Sequence, residues 1–219
     1  MKIELSDNEK ILVVAPHPDD ESIGCGGLLN KFRGKCDVLL VTNGHLNKPE
    51  SKDIIEIRQR EFESAIKTSK VNEVIYLQIF AQEINKYFDR FLSIDYSKYK
   101  YIFVPNRFEI VQDHVDTYSS IKKALKKKNV KTNLLEYEVW TTIRFPNVYL
   151  DISDVIEHKI SAIEQHKSQT SELNFVKFIT GLNAYRGLSK GFNYAEAYYC
   201  ENEKRREQIR HIKRKIKRK

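Results

Sequence analysis

One imidazole and three consecutive carboxylates, His17, Asp19, Asp20 and Glu21, follow directly on the apolar run Ile11-Leu12-Val13-Val14-Ala15. Pro16 and Pro18 stiffen the turn that carries them. Adjacent acids repel one another and lose hydration when buried, unless a cation or hydrogen-bond donors offset their charge. A divalent metal meets that need. Acids also suit a helix N-terminus. Capping explains one or two of them, but not an imidazole held between two prolines, so the residue types point to a metal centre.

A second polar group stands far downstream, in Glu109-Ile110-Val111-Gln112-Asp113-His114 after the apolar run Tyr101–Val104. Three further residues have side chains suited to ligand contact. Asn43 lies in Thr42-Asn43-Gly44 at the end of Cys36–Val41. Arg58 lies one turn from Glu61, a spacing that gives either a surface ion pair or an arginine reaching a sugar or phosphate oxygen. Arg144 lies in Trp140-Thr141-Thr142-Ile143-Arg144-Phe145-Pro146, facing a ligand or stacking on Trp140 or Phe145.

The elements that must position these groups alternate. Strands are expected at 10–15, 36–41, 73–77, 101–104 and 133–139. Helices are expected at 21–33, 53–70, 83–97, 114–125, 153–167 and 173–188. Continuous apolar strands alternating with helical periodicity predict an α/β fold, a Rossmann-like, doubly wound, mostly parallel sheet with helices on both faces. In such a sheet ligands bind at the carboxyl ends of the strands, where neighbouring loops meet. That places the His17 and His114 loops side by side. Gly24, Gly26 and Gly27 lower helix propensity in 21–33 and predict close packing of that helix on the sheet. They match neither a GxGxxG nor a GxxxxGK[ST] phosphate loop.

The chain of 219 residues is long enough for one sizeable domain, taken as 1–200, with a basic amphipathic helix or tail at 201–219. Residues 203–219 hold ten Lys or Arg against two Glu, which equals the whole net charge of +8. The body is therefore neutral, which removes the argument for a nucleic-acid partner. Ile209, Ile212 and Ile216 share one face of the tail, which either packs on the domain or makes peripheral contact with an anionic membrane. There is no signal-like or 18-residue apolar span, and three cysteines lack CxxC spacing. These features lead to the expectation of a cytoplasmic protein with reduced thiols.

Pro16-His17-Pro18-Asp19-Asp20-Glu21 with Gly24-Cys25-Gly26-Gly27 resembles the LmbE-like (PIG-L) zinc deacetylases. Arg58 with Glu61, Gln112-Asp113-His114, Val148–Ile152 with Lys167-Ser168-Gln169, and Arg186-Gly187 with Tyr194–Ala197 are similar to later segments of that family. The resemblance implies removal of an acetyl group from an N-acetylglucosamine-type sugar or its conjugate, with zinc or another divalent ion as cofactor. It implies His17, Asp20 and His114 as metal ligands and Asp19 as general base. It leaves Arg58, Asn43 and Arg144 as candidate substrate contacts. Two imidazoles and a carboxylate form a three-ligand zinc site with one position open to water.

One departure stands out. Val111 occupies the place where the family has a histidine that stabilises the reaction's oxyanion. Losing such a donor costs about 3–4 kcal/mol of barrier. Val111 thus implies a slow enzyme, a substitute donor for which Arg144 is the candidate, or a non-catalytic sugar- or partner-binding homologue. A shifted register would instead make Thr117 the counterpart of the ligand histidine; the helix after His114 favours the first register.

Overall fold

Strands form where aliphatic and β-branched residues run continuously, because both faces of a central strand are covered. The computed structural model describes residues 1–171 and 173–201. Among these, β1 (Lys10–Ala15), β2 (Cys36–Thr42), β3 (Glu73–Ile79), β4 (Tyr99–Pro105), β5 (Asn133–Tyr137), β6 (Val148–Asp151) and β7 (Ala195–Cys200) make one sheet. Its order is β3-β2-β1-β4-β5-β7-β6. The first five strands are parallel, with β1 central between β2 and β4.

The helices are α1 (Asp20–Lys31), α2 (Lys52–Ser69), α3 (Phe88–Leu92), α4 (Gln112–Lys127), α5 (Ile156–Ile163), α6 (Lys167–Thr170) and α7 (Phe175–Leu188). α1, α2, α5 and α7 pack together on one face, and α3 with α4 on the other. Alternate residues of β1 feed the two cores: Ile11, Val13 and Ala15 meet Ile23, Leu28 and Phe62, whereas Leu12 and Val14 meet Phe91, Ile121 and Leu125. The doubly wound, mostly parallel expectation therefore holds, with β1 ending at the meeting point of the loops.

The structure departs from the expected elements in four places, the first being β6, a short strand at Val148–Asp151 that is not among the five expected. β7 is antiparallel to both β5 and β6, which extends the sheet beyond its parallel part. The sequence Ala195-Glu196-Ala197-Tyr198-Tyr199-Cys200 hides this strand by placing a glutamate at a buried position; Glu196 is buried because Lys159 of α5 meets it at 2.7 Å. The helix expected at 83–97 breaks into a 3-10 turn, Ile84–Tyr87, the short α3 and a second 3-10 turn at Tyr96–Lys98, where Asp95 accepts from the Ser97 amide. The helix expected at 153–167 narrows to α5. The expected helix at 201–219 lies, apart from Glu201, outside the described residues. Cys25, Cys36 and Cys200 are buried and none forms a disulfide.

Close packing explains two of the α1 glycines. A Cβ at Gly24 would sit 2.2 Å from the Tyr137 ring, and one at Gly27 2.5 Å from Ile152 Cγ2. The helix thus lies against β5 and the segment after β6 at backbone distance. Gly24→Ala is expected to lower stability by about 1–3 kcal/mol through overpacking, measured as a fall in the urea midpoint at unchanged m-value.

Candidate metal centre

The turn after β1 brings the first two groups together by itself. Asp20 is the first residue of α1, and its Oδ2 accepts from the His17 amide at 2.9 Å. His114 arrives from the first turn of α4, on the loop after the neighbouring β4. His17 Nδ1, Asp20 Oδ2 and His114 Nε2 then lie pairwise 3.2 Å apart. Tetrahedral metal–ligand distances of about 2.0–2.2 Å separate ligand atoms by about 3.3 Å. The three donors therefore fit one divalent cation with no rearrangement. His114, rather than Thr117, joins this triangle, and the Thr117 hydroxyl is buried elsewhere in α4 without a hydrogen-bond partner.

A carboxylate stands behind each imidazole, and the one behind His17 is hydrogen-bonded to it. His17 Nε2 is 2.9 Å from Asp113 Oδ2, which fixes the tautomer that leaves Nδ1 as a lone-pair donor. Asp113 in turn accepts from the Gln82 amide at 2.9 Å. His114 Nδ1 faces Glu109 Oε2 at 3.7 Å, beyond hydrogen-bond distance, and Glu109 Oε1 accepts from the Val139 and Thr141 amides. A carboxylate behind each histidine is the usual arrangement around a metal.

Asp19 stands beside the triangle without joining it. Its backbone, at φ 152° and ψ −29°, lies outside the regions an L-residue prefers, and such strain concentrates at functional sites. Two networks hold it. Arg58 of α2 gives one Nη2 contact to Asp19 Oδ2 at 3.1 Å, another to Pro18 O at 3.3 Å, and an Nη1 bond to Gly44 O at 2.8 Å. Glu21, fully buried, accepts from the Asp19 amide at 3.2 Å and from Ser22 Oγ at 2.6 Å, and faces His166 Nε2 at 3.4 Å. Arg58 and Glu61 thus do not form the surface pair that their spacing allowed: Glu61 instead accepts from the Ser168 amide and hydroxyl at 2.8 and 2.7 Å. One helix ties down both Asp19 and the segment carrying His166 and Gln169.

The electrostatics follow from so many buried acids. Burial opposes ionisation of Asp20, but His114 and His17 hold it well below the carboxylate range. Burial also opposes a charged His17, yet Asp113 and Asp20 prevail and raise it to about 9. Burial pushes Asp19 up to about 6, against the pull of Arg58 and with a push from Asp20. Glu109 is raised by burial as well. The cluster demands positive charge, and a divalent cation supplies it.

Two cavities open onto the triangle. One of 200 Å³ is lined by His17, Asp19, Asp20, Arg58, Trp140 and Gln169. The other, of 310 Å³, shares His17 and Gly44 with it and is walled by His45, Leu46, Ala81 and Val111. Arg144 faces neither: its guanidinium lies over Phe145, 5.1 Å from the ring centre, and lines a separate cavity with Arg107 and Phe108. Besides His17 of the triangle, the donor-bearing side chains that share a cavity with Val111 are His45, Gln82 and Gln112, and Arg144 is not among them. Asn43 lines a further cavity with Pro18, Ile55 and Tyr76, and its Oδ1 accepts from the His45 amide at 3.1 Å.

Residues 12–125 match the family model described as PIG-L: GlcNAc-PI de-N-acetylase. The chain belongs to the PIG-L family. A Bacillus subtilis (strain 168) relative, named probable N-acetyl-alpha-D-glucosaminyl L-malate deacetylase 2, is 26% identical over 186 residues, 74% of this chain and 84% of its own. The structure of N,N'-diacetylchitobiose deacetylase from Pyrococcus horikoshii superposes with a TM-score of 0.71 at 22% identity, over 89% of this chain and 84% of that one. The 4-carboxy-2-hydroxymuconate hydratase GalB from Pseudomonas putida KT2440 gives 0.73 at 15% identity, over 88% and 96%. The PIG-L architecture is thus shared with a hydratase, and the reaction has to be argued from the site.

Sequence reasoning in this PIG-L domain missed Glu109 and Asp113 as the carboxylates behind the imidazoles and His166 altogether. The carboxylates stood within six residues of His114, a usable signal; His166 had none, because its partner Glu21 is 145 positions away. His166→Leu removes one partner of the buried Glu21 and is expected to cost about 1–3 kcal/mol, readable by chemical denaturation.

Proposed function

We propose that this protein is a metal-dependent deacetylase acting on an N-acetylated amino sugar or its conjugate. The triangle of His17 Nδ1, Asp20 Oδ2 and His114 Nε2, with the buried Asp19 beside it, carries the reading. Family membership and the names of the deacetylase relatives support it. His17, Asp20 and His114 would hold the cation, zinc by the chemistry of the donor set. When bound, such an ion polarises an amide carbonyl and makes water more acidic.

The chain's own residues do the rest. Asp113 holds the His17 imidazole in its donating tautomer, and the Glu109 carboxylate lies behind His114. Asp19 lines the 200 Å³ cavity and is raised by burial, so it takes the proton of the attacking water and hands it to the departing amine. Arg58 and Glu21 keep its carboxyl and its amide in place. Trp140 offers an aromatic face for a pyranose ring, and Gln169 a polar group for its hydroxyls.

The test is acetate release from N-acetylglucosamine conjugates, before and after metal removal with a chelator and after zinc is returned. Turnover is expected to vanish on removal and return with about one metal per chain. The melting temperature should fall on removal, because a ligand bound to the folded state alone stabilises it by mass action. Turnover that survives complete metal removal would sink the reading.

A further inference from the structure

We infer that the 310 Å³ cavity beyond His17 is an acyl pocket, and that the protein hydrolyses N-acyl amino sugars whose acyl chain is longer than acetyl. This rests on the amide-hydrolase reading above and extends it to the other half of the substrate. The direction of the substrate follows from Asp19. The group that gives its proton to the leaving amine must face that amine, and Asp19 lines the smaller cavity, together with Trp140, Arg58 and Gln169. The amine and its sugar therefore occupy that side. The acyl carbon's substituent points across His17 and Gly44 into the second cavity.

That cavity is far too large for an acetyl methyl, which takes about the 30 Å³ of a water molecule in the liquid. Leu46, Ala81 and Val111 give it an apolar stretch of wall, alongside the polar His45, Gln82 and Gln112. It is also held open by backbone ties between three different loops. The Ala81 amide donates to His45 O at 2.8 Å, and the Gln82 amide to Asp113 Oδ1 at 2.9 Å. The Asn43 amide donates to Ile79 O at 3.0 Å. A preformed pocket of this kind spends little ordering entropy on a ligand. The reaction is unchanged in balance: water's oxygen bonds to the acyl carbon, the C–N bond breaks, and the water's proton passes through Asp19 to the amine. The products are the amino sugar as its ammonium and a short-chain carboxylate, the second proton of the water also ending on the amine.

The experiment compares N-acetyl-, N-propanoyl-, N-butanoyl- and N-hexanoylglucosamine on the metal-loaded protein. Calorimetric binding of the same four to the metal-loaded Asp19→Asn protein gives a readout independent of turnover. Each added methylene that is buried should raise kcat/KM and affinity by about fourfold, over at least the first two. Ala81→Leu and Val111→Phe, each filling the cavity from a different loop, should both cut the butanoyl-to-acetyl ratio by at least tenfold. Acetyl turned over with no gain for longer chains overturns the acyl pocket and leaves the deacetylase reading standing. A gain with chain length that neither folded filling variant alters overturns the assignment to this cavity. Carboxylate release from none of the four overturns both readings.

Discussion

Asp19→Asn is expected to lower kcat/KM for an N-acetyl amino sugar by about 10²–10⁴-fold, the usual contribution of a positioned general acid–base group. Metal content should not change, because Asp19 lies outside the ligand triangle. Asparagine is close in shape, and its side-chain oxygen still accepts from Arg58, so the local backbone has no reason to collapse. Two effects on stability oppose one another: asparagine leaves the buried Arg58 guanidinium without its counter-charge, which lowers stability. A carboxyl whose folded pKa, about 6, exceeds its unfolded value makes folding less favourable as pH rises from the unfolded pKa through the folded one. At pH 7 the ionised Asp19 is therefore a cost to the metal-free fold, and a neutral isostere relieves that cost while losing the Arg58 pair, so the melts read the balance of the two. The measurements are steady-state acetate release, metal per chain by elemental analysis, and thermal melts. A metal-loaded variant within tenfold of the parent would remove Asp19 from the role of base.

The second large effect concerns the frame rather than the chemistry. Glu196 of β7 is 2% exposed and pairs with Lys159, itself 1% exposed. Its oxygens also accept from the Gly27 and Leu28 amides of α1 at 2.7 and 2.8 Å and from the Tyr198 hydroxyl at 2.6 Å. Glu196→Gln leaves a buried ammonium without a counter-charge. Breaking a buried pair in this way typically costs about 3–5 kcal/mol. For a domain of this size that is a fall in melting temperature of about 6–20 °C. Lys159→Met combined with Glu196→Gln should recover part of the loss, since the uncompensated charge is then gone. The readout is the melting temperature of the three proteins at equal metal loading. A single variant that melts within 2 °C of the parent would show that α1 is not held to the sheet by this glutamate.

The same glutamate shows why the far side of the sheet was hard to read. Residues 195–200 alternate poorly and carry an acid at a core position, so nothing local marks them as a strand. The charge is tolerated only because α5 delivers Lys159 from 37 positions away. Arg186 behaves alike: it pairs with Glu138 and donates to Ile143 O at 2.8 Å, locking the loop before β6 from a helix more than forty positions later. Arg58 stayed ambiguous for the same reason. Helical spacing brought Glu61 within reach, but desolvated partners beyond the helix, Asp19 and Ser168, compete more strongly than a solvated ion pair worth a few tenths of a kcal/mol.

What could be read from the chain itself is what short separation or continuous patterning encodes. The His17–Asp20 contact spans three residues and is set by the turn that two prolines stiffen. The parallel core is written as runs of buried aliphatics, and the α1 glycines announce a helix pressed on the sheet. His114 became legible because parallel strands put successive loops on one edge. The tertiary structure decided everything that depends on pairs of distant side chains: which carboxylate stands behind which imidazole, that Glu21 and His166 share the load of holding Asp19, that Arg144 turns to Phe145, and that Val111 walls a cavity beside His17. The physical reason is common to all of these. A buried polar group is stable only with its partner, and the choice of partner is made by packing rather than by position along the chain.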